Sequence, residues 1–162
     1  METSCYHDKP VLAAIENLEI ISETAAVDLD DLPYNTVRET HEGIEAAQNL
    51  CHFLAARSGW WTDLQTGLPK IPEAVNIPEK LMLIVSEVAE AMEGDRKDLQ
   101  DDKLPHRKML EVELADALIR ICDLAGYLKL DLAGAVIEKL AFNQKRADHS
   151  LAQRQQAGGK AY

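Results

Sequence analysis

The sequence predicts an all-α protein: a core bundle of four helices with a helical appendage at the N-terminus. Two observations carry that expectation. Apolar residues make up 46% of the chain but aromatics only 5%, and alanine and leucine abound, a mix that favours helices packed through aliphatic side chains. The stretch 78–128 also reads as two consecutive helices of about twenty residues each, PEKLMLIVSEVAEAMEGDRK and HRKMLEVELADALIRICDLAGYL. Turned ~100° per residue, the first gathers Leu81, Val85, Val88 and Met92 on one side. The second gathers Leu110, Leu114, Ala117, Ile121, Leu124 and Leu128 into one seam. At 162 residues the chain fits one domain, 36–149, between an appendage, 1–35, and a polar tail, 150–162, expected to be mobile.

Taken in order, Val11, Leu12, Ile15, Leu18 and Ile21 form a weak helical stripe that DLDDLPYN breaks. Thr36 to Ala56 is the first core helix, capped by Asn35 or Thr36. Its seam is Val37, Ile44, Cys51 and Ala55. His41 and His52 lie near that seam without a metal-ligand spacing, and they read as surface or partner-contact histidines. Ser58 to Asn76 is a loop punctuated by glycine, proline and asparagine, holding the two tryptophans, Trp60 and Trp61. Either indole can pin the loop to the bundle or stack on a nucleobase. Asn76 or Ile77, with Pro78 just inside, starts the next helix, and Gly94 loosens its end ahead of Arg96 and Lys97. In the linker DLQDDKLPH, Lys103, His106 and Arg107 read as a solvated turn or as phosphate contacts. Asp131 caps the last helix, on which Lys139, Asn143 and Arg146, at i, i+4 and i+7, present three donors suited to an anion.

The composition excludes several classes. The longest apolar run, LMLIV, is far short of a membrane span, and the N-terminus lacks the basic and apolar regions of a secretory signal. Three cysteines at no metal-like spacing, with Cys51 and Cys122 in helical patterns as small core residues, fit a reducing cytoplasm. A net charge of −11 argues against binding to nucleic acid polymers. It leaves room for a small anionic substrate if a metal inverts the local field.

The chemistry concentrates in two pairs of acids three residues apart, Glu87 with Glu90 and Glu113 with Asp116, set in LIVSEVAEAM and VELADALI. Residues i and i+3 share a helix face and can reach one ligand. Four acids in apolar surroundings call for a compensating charge, and a divalent cation supplies it. Asp116 and Arg120, at i and i+4, can instead form an ordinary ion pair. A di-iron carboxylate bundle would place Glu-x-x-His on its helices, whereas Glu90 and Asp116 stand where the histidines would be. A non-catalytic helical interaction module needs no metal at all.

Glu87-x-x-Glu90, a spacer over residues 91–112 and Glu113-x-x-Asp116 resemble the signature of the MazG-type all-α nucleoside triphosphate pyrophosphohydrolases. The similarity extends to EKLAFNQKRADH near the C-terminus and covers roughly 36–149, in the manner of MazG-like proteins of bacteria and their phages. The resemblance implies a four-helix core and homodimers or homotetramers with sites near subunit interfaces. It also implies Mg²⁺-dependent hydrolysis (Mn²⁺ able to substitute) of a nucleoside triphosphate to monophosphate and pyrophosphate. Glu87, Glu90, Glu113 and Asp116 would hold the metal, and one of them, Glu90 being the first candidate, would orient the water. Lys139, Asn143 and Arg146, with Lys97, would hold phosphate oxygens, and Trp60 or Trp61 the base.

Overall fold

A computed structural model describes residues 34–159, the side chain of Ala147 excepted. The expected helical stripe near the N-terminus lies outside these residues. The regular elements of the described residues are all helical: α1 (Tyr34–Arg57), α2 (Ile77–Lys97), α3 (Met109–Tyr127), α4 (Leu132–Gln144) and the short α5 (Leu151–Arg154), with 3₁₀ turns at Pro72–Ala74 and Ala147–His149. Extended pairing is limited to two isolated bridges, Thr62 with Pro69 and Gln100 with Lys108. None of the described helices is long and apolar enough to cross a membrane. The described residues fall into two compact units, 34–140 and 141–159.

In the first unit α3 is central and packs on both α2 and α1. Glycine sets both approaches. A Cβ on Gly94 would sit 2.8 Å from the Met109 Cβ, and one on Gly126 would sit 2.5 Å from the His52 Cβ. Gly94 therefore does not loosen α2. It is buried, and the helix runs on to Lys97, where Asp98 turns left-handed (φ 51°) and Leu99 N–H reaches the Gly94 carbonyl at 2.9 Å. The start of α2 follows the sequence: Asn76 Oδ1 accepts the Glu79 N–H at 3.2 Å, with Pro78 in the first turn. Asp131 caps α4 by accepting the Gly134 N–H at 2.8 Å. On α1, Arg38 and Glu42 pair one turn apart.

The expected seam of α2 is displaced, whereas that of α3 holds in part, with Ala117 and Leu124 buried. The buried residues of α2 are Glu87, Ala91 and Gly94, at i, i+4 and i+7, so the acidic side of the helix faces its neighbour. Leu81, Val85, Val88 and Met92 are about half exposed, as are Leu114 and Leu118 on α3. Small side chains explain the choice. Ala91 and Gly94 on α2 and Ala117 on α3 let the two backbones come close, and the acids beside them are carried into the contact. The expected α1 seam is likewise only partly covered, for α1 has no buried residue.

The linker between α2 and α3 is a tight loop whose residues are exposed, as a solvated turn requires, apart from one anchor. Asp101 is buried, and its Oδ1 accepts the backbone N–H groups of Lys103 (3.0 Å) and Leu104 (2.5 Å). Its own N–H reaches the Arg107 carbonyl at 3.1 Å, and Met109 N–H bonds the Leu99 carbonyl at 3.0 Å. The loop is folded back on itself immediately beside the acidic contact.

Candidate metal centre

The α2–α3 contact brings Glu87, Glu90 and Glu113 together: one carboxylate oxygen from each lies within 4.8 Å of the other two. Glu87 is 6% and Glu113 8% exposed, whereas Glu90 is open to solvent. The trio faces a polar cavity of about 490 Å³, whose lining also includes Asp101, Asp102, Lys103, Asp116 and Arg120. Asp116 is exposed on the cavity wall and is not one of the three converging carboxylates. Arg120 does not close an intrahelical pair with Asp116. Its Nε donates across the helices to Glu87 Oε1 at 2.6 Å.

The electrostatics follow from crowding. Burial pushes the Glu113 carboxyl up to about 7, helped by a hydrogen bond with Glu87 that only the protonated acid can donate, and by the charges of Glu90, Glu87 and Asp116. Asp116 is also raised, by desolvation and by the charge of Glu87, with Arg120 pulling the other way. An octahedral Mg²⁺ holds oxygens at about 2.1 Å, so adjacent ligands stand about 3.0 Å apart and opposite ones about 4.2 Å. Three carboxylate oxygens within 4.8 Å of one another reach that spacing by a modest inward movement of the side chains. The donor set is all oxygen, which suits Mg²⁺ or Mn²⁺. The residues therefore fit a hard divalent cation.

The other sequence-predicted residues lie elsewhere. Trp61 is 5% exposed and built into the fold. Its ring stacks on Tyr127 (centroids 3.8 Å apart, planes at 7°), and Lys80 Nζ lies 4.7 Å from its centroid, which the stacked tyrosine allows only over the opposite face. Its Nε1 donates to Asp123 Oδ1 at 2.6 Å, which also accepts from His52 Nδ1 at 3.0 Å. With both faces covered, Trp61 cannot take a base. Trp60, 67% exposed, keeps that capacity. His52 is thus a half-buried partner of Asp123 rather than a free surface histidine. Cys51 on α1 and Cys122 on α3 are free cysteines, and burial raises both thiols.

Lys97 pairs with Glu93 on its own helix. Neither Lys97 nor Lys139 lines the acidic cavity. Arg146 does not stand on the helix that carries Lys139 and Asn143. α4 ends at Gln144, and Arg146 lies beyond it, where its guanidinium grips Asp148 through Nε (3.0 Å) and Nη2 (2.7 Å). Asn143 keeps its helical place, with Oδ1 buried and without a hydrogen-bond partner. Sequence reading missed Arg120 and Asp101 as members of the site. Arg120 had a signal, its place one turn past Asp116. Asp101 had none, because only the fold of its loop carries it there. Compared with known protein families, curated proteins and solved structures, the chain finds no match.

Proposed function

We propose that the protein is a metal-dependent nucleoside triphosphate pyrophosphohydrolase with a MazG-type helical core. The observation that carries this reading is the convergence of Glu87, Glu90 and Glu113 beside an open polar cavity. Two of these carboxylates are buried and Arg120 engages only Glu87, so a bound cation or protonation is needed to relieve the rest of the crowding. Mg²⁺ or Mn²⁺ held there would neutralise phosphate charge and offset the charge that builds on the leaving pyrophosphate. Glu87 and Glu113 are the inner holders and Glu90 the outer one, with Asp116 supporting from the cavity wall. Glu90, exposed to solvent, would orient a water and accept its proton. The water oxygen bonds to the α-phosphorus as the α–β bridging bond breaks, and the bridging oxygen leaves with pyrophosphate. Lys139 and Trp60 belong to the reading as phosphate and base contacts.

Self-association into a dimer or tetramer is part of the same reading. It is supported by the half-exposed aliphatic faces of α2 and α3 and by Leu50, Phe53 and Leu54 on α1. Sedimentation as a single 18.0 kDa species at micromolar concentration would count against it.

The test of function is a panel of ribo- and deoxynucleoside triphosphates with Mg²⁺ in water enriched in heavy oxygen. The expected products are monophosphate and pyrophosphate, with the label in the monophosphate. Diphosphate plus phosphate, label in pyrophosphate, or no turnover across the panel would each overturn the reading.

A further inference from the structure

Six carboxylates line the acidic cavity: Glu87, Glu90, Asp101, Asp102, Glu113 and Asp116. Only two cations join them, and Lys103 is taken by Asp102 at the surface. Arg120 is therefore the one cation of the lining held at the converging carboxylates. It engages Glu87 through Nε alone, and among the described residues its two Nη groups have no hydrogen-bond partner. The side chain of Glu87 is 8% exposed and that of Arg120 42%, so the pair joins an inner anion to a cation that still reaches solvent. A guanidinium has five N–H donors in a planar fork that matches phosphate oxygens, and here most of the fork is unused.

A divalent cation alone leaves this cavity strongly negative, and a triphosphate brings several more negative charges to it. Charge balance then requires a further cation at the metal's edge. A metal held by Glu87 also weakens the claim of Arg120 on that carboxylate, because both compete for the same oxygens.

We propose that Arg120 is a two-partner residue, the counter-ion of Glu87 without metal and a direct contact to the pyrophosphate part of the substrate once metal is bound. This rests on the pyrophosphohydrolase reading and names a substrate contact that the four acids do not provide. Arg120 is a binding residue in this role, and the chemistry at the α-phosphorus does not pass through it.

The experiment is calorimetry on the full chain, first with Mn²⁺ alone and then with inorganic pyrophosphate added to Mn²⁺-saturated protein. It compares wild type with Arg120→Gln and Arg120→Lys. In Arg120→Gln, Mn²⁺ affinity should stay the same or tighten, while pyrophosphate affinity falls roughly 10- to 100-fold. Arg120→Lys should recover part of that loss, keeping the charge without the fork. Parallel loss of Mn²⁺ and pyrophosphate affinity in Arg120→Gln would make Arg120 only a positioner of Glu87 and overturn the inference. Unchanged pyrophosphate affinity in that variant would also overturn it while leaving the function standing. Failure of wild type itself to bind pyrophosphate in saturating Mn²⁺ would instead sink the function, and the inference with it.

Discussion

The two ends of α3 hold acids in opposite circumstances. Toward its C-terminus, Asp123 receives the His52 and Trp61 N–H groups on one oxygen, inside a cluster where Trp61 lies flat on Tyr127 and the Tyr127 hydroxyl donates to the Lys70 carbonyl at 2.9 Å. Toward its N-terminus, Glu113 faces Glu87, Glu90 and Asp116, with Arg120 engaged to Glu87. Donors outnumber the acid at one end, and acids outnumber the donors at the other. A carboxylate supplied with donors fixes structure, here tying the tryptophan loop and α1 to α3. A carboxylate short of donors stores repulsion that a cation can release. The difference lies in the partners, because helix and residue class are the same.

That contrast breaks most visibly through the metal trio. Glu87→Gln, Glu90→Gln and Glu113→Gln each remove a charged ligand at nearly constant shape. Turnover and Mn²⁺ affinity should fall together, by roughly 100-fold or more in turnover; metal-free stability should hold in Glu90→Gln and Glu113→Gln, whereas Glu87→Gln also weakens the ion pair with Arg120. Asp116→Asn should be milder than any of the three, because Asp116 stands outside the converging set. Isothermal titration with Mn²⁺ and a pyrophosphate-release assay on the four variants check this. Full binding and activity in two of the trio would remove the metal centre.

The other end should answer in stability instead. Asp123→Ala leaves the Trp61 and His52 N–H groups without their acceptor, at a cost of about 2–4 kcal/mol in urea unfolding. Mn²⁺ affinity, measured where the variant is folded, should stay within a few-fold of wild type. A large loss of metal affinity with unchanged stability would show that the two ends are not independent.

Titration sharpens the same comparison. Glu113 ionises at about 7 in the folded protein against an ordinary 4.5. Between those values the native state holds a proton that the unfolded chain has lost, so metal-free stability falls as pH rises across the window. Glu113→Gln is always neutral and should remove that part of the slope. The variant should match wild type near pH 4 and exceed it at pH 8 by roughly 1–3 kcal/mol. Parallel stability curves for the two proteins would show that Glu113 is not crowded.

The sequence made the helices legible because their signals are local: the cap at Asn76, Pro78 in the first turn, the cap at Asp131 and the spacing of the acids. It also placed Glu87, Glu90 and Glu113 where one ligand can join them. What it misjudged depends on which faces meet. Apolar periodicity points to Leu81, Val85, Val88 and Met92 as the buried side of α2, yet the close approach at Gly94 and Ala91 turns Glu87 inward. Arg120 has a near acid at i−4 and a farther one across the contact, and sequence spacing sees only the first. The end of α4 at Gln144 was hidden because FNQKRADH continues the helical pattern while Arg146 and Asp148 close a local pair.

The two tryptophans carry the smallest expected effect and the most local form of the comparison. They are adjacent in sequence, yet one is buried with both faces covered and the other is open to solvent. Trp61 belongs to the donor-rich end of α3, and its replacement should act on folding. Trp60 has no such duty, so Trp60→Ala should change stability by no more than about 0.5 kcal/mol. If its indole supports the base of a bound nucleotide, the same change should raise KM roughly 5-fold, near the low end for stacking on an exposed aromatic. It should leave kcat and pyrophosphate affinity unaltered, because pyrophosphate has no base to stack. That last measurement separates a base contact from a general disturbance of the site. Equal weakening of nucleotide and pyrophosphate would assign Trp60 to the loop's structure, and no change in either would leave it a solvent-facing side chain.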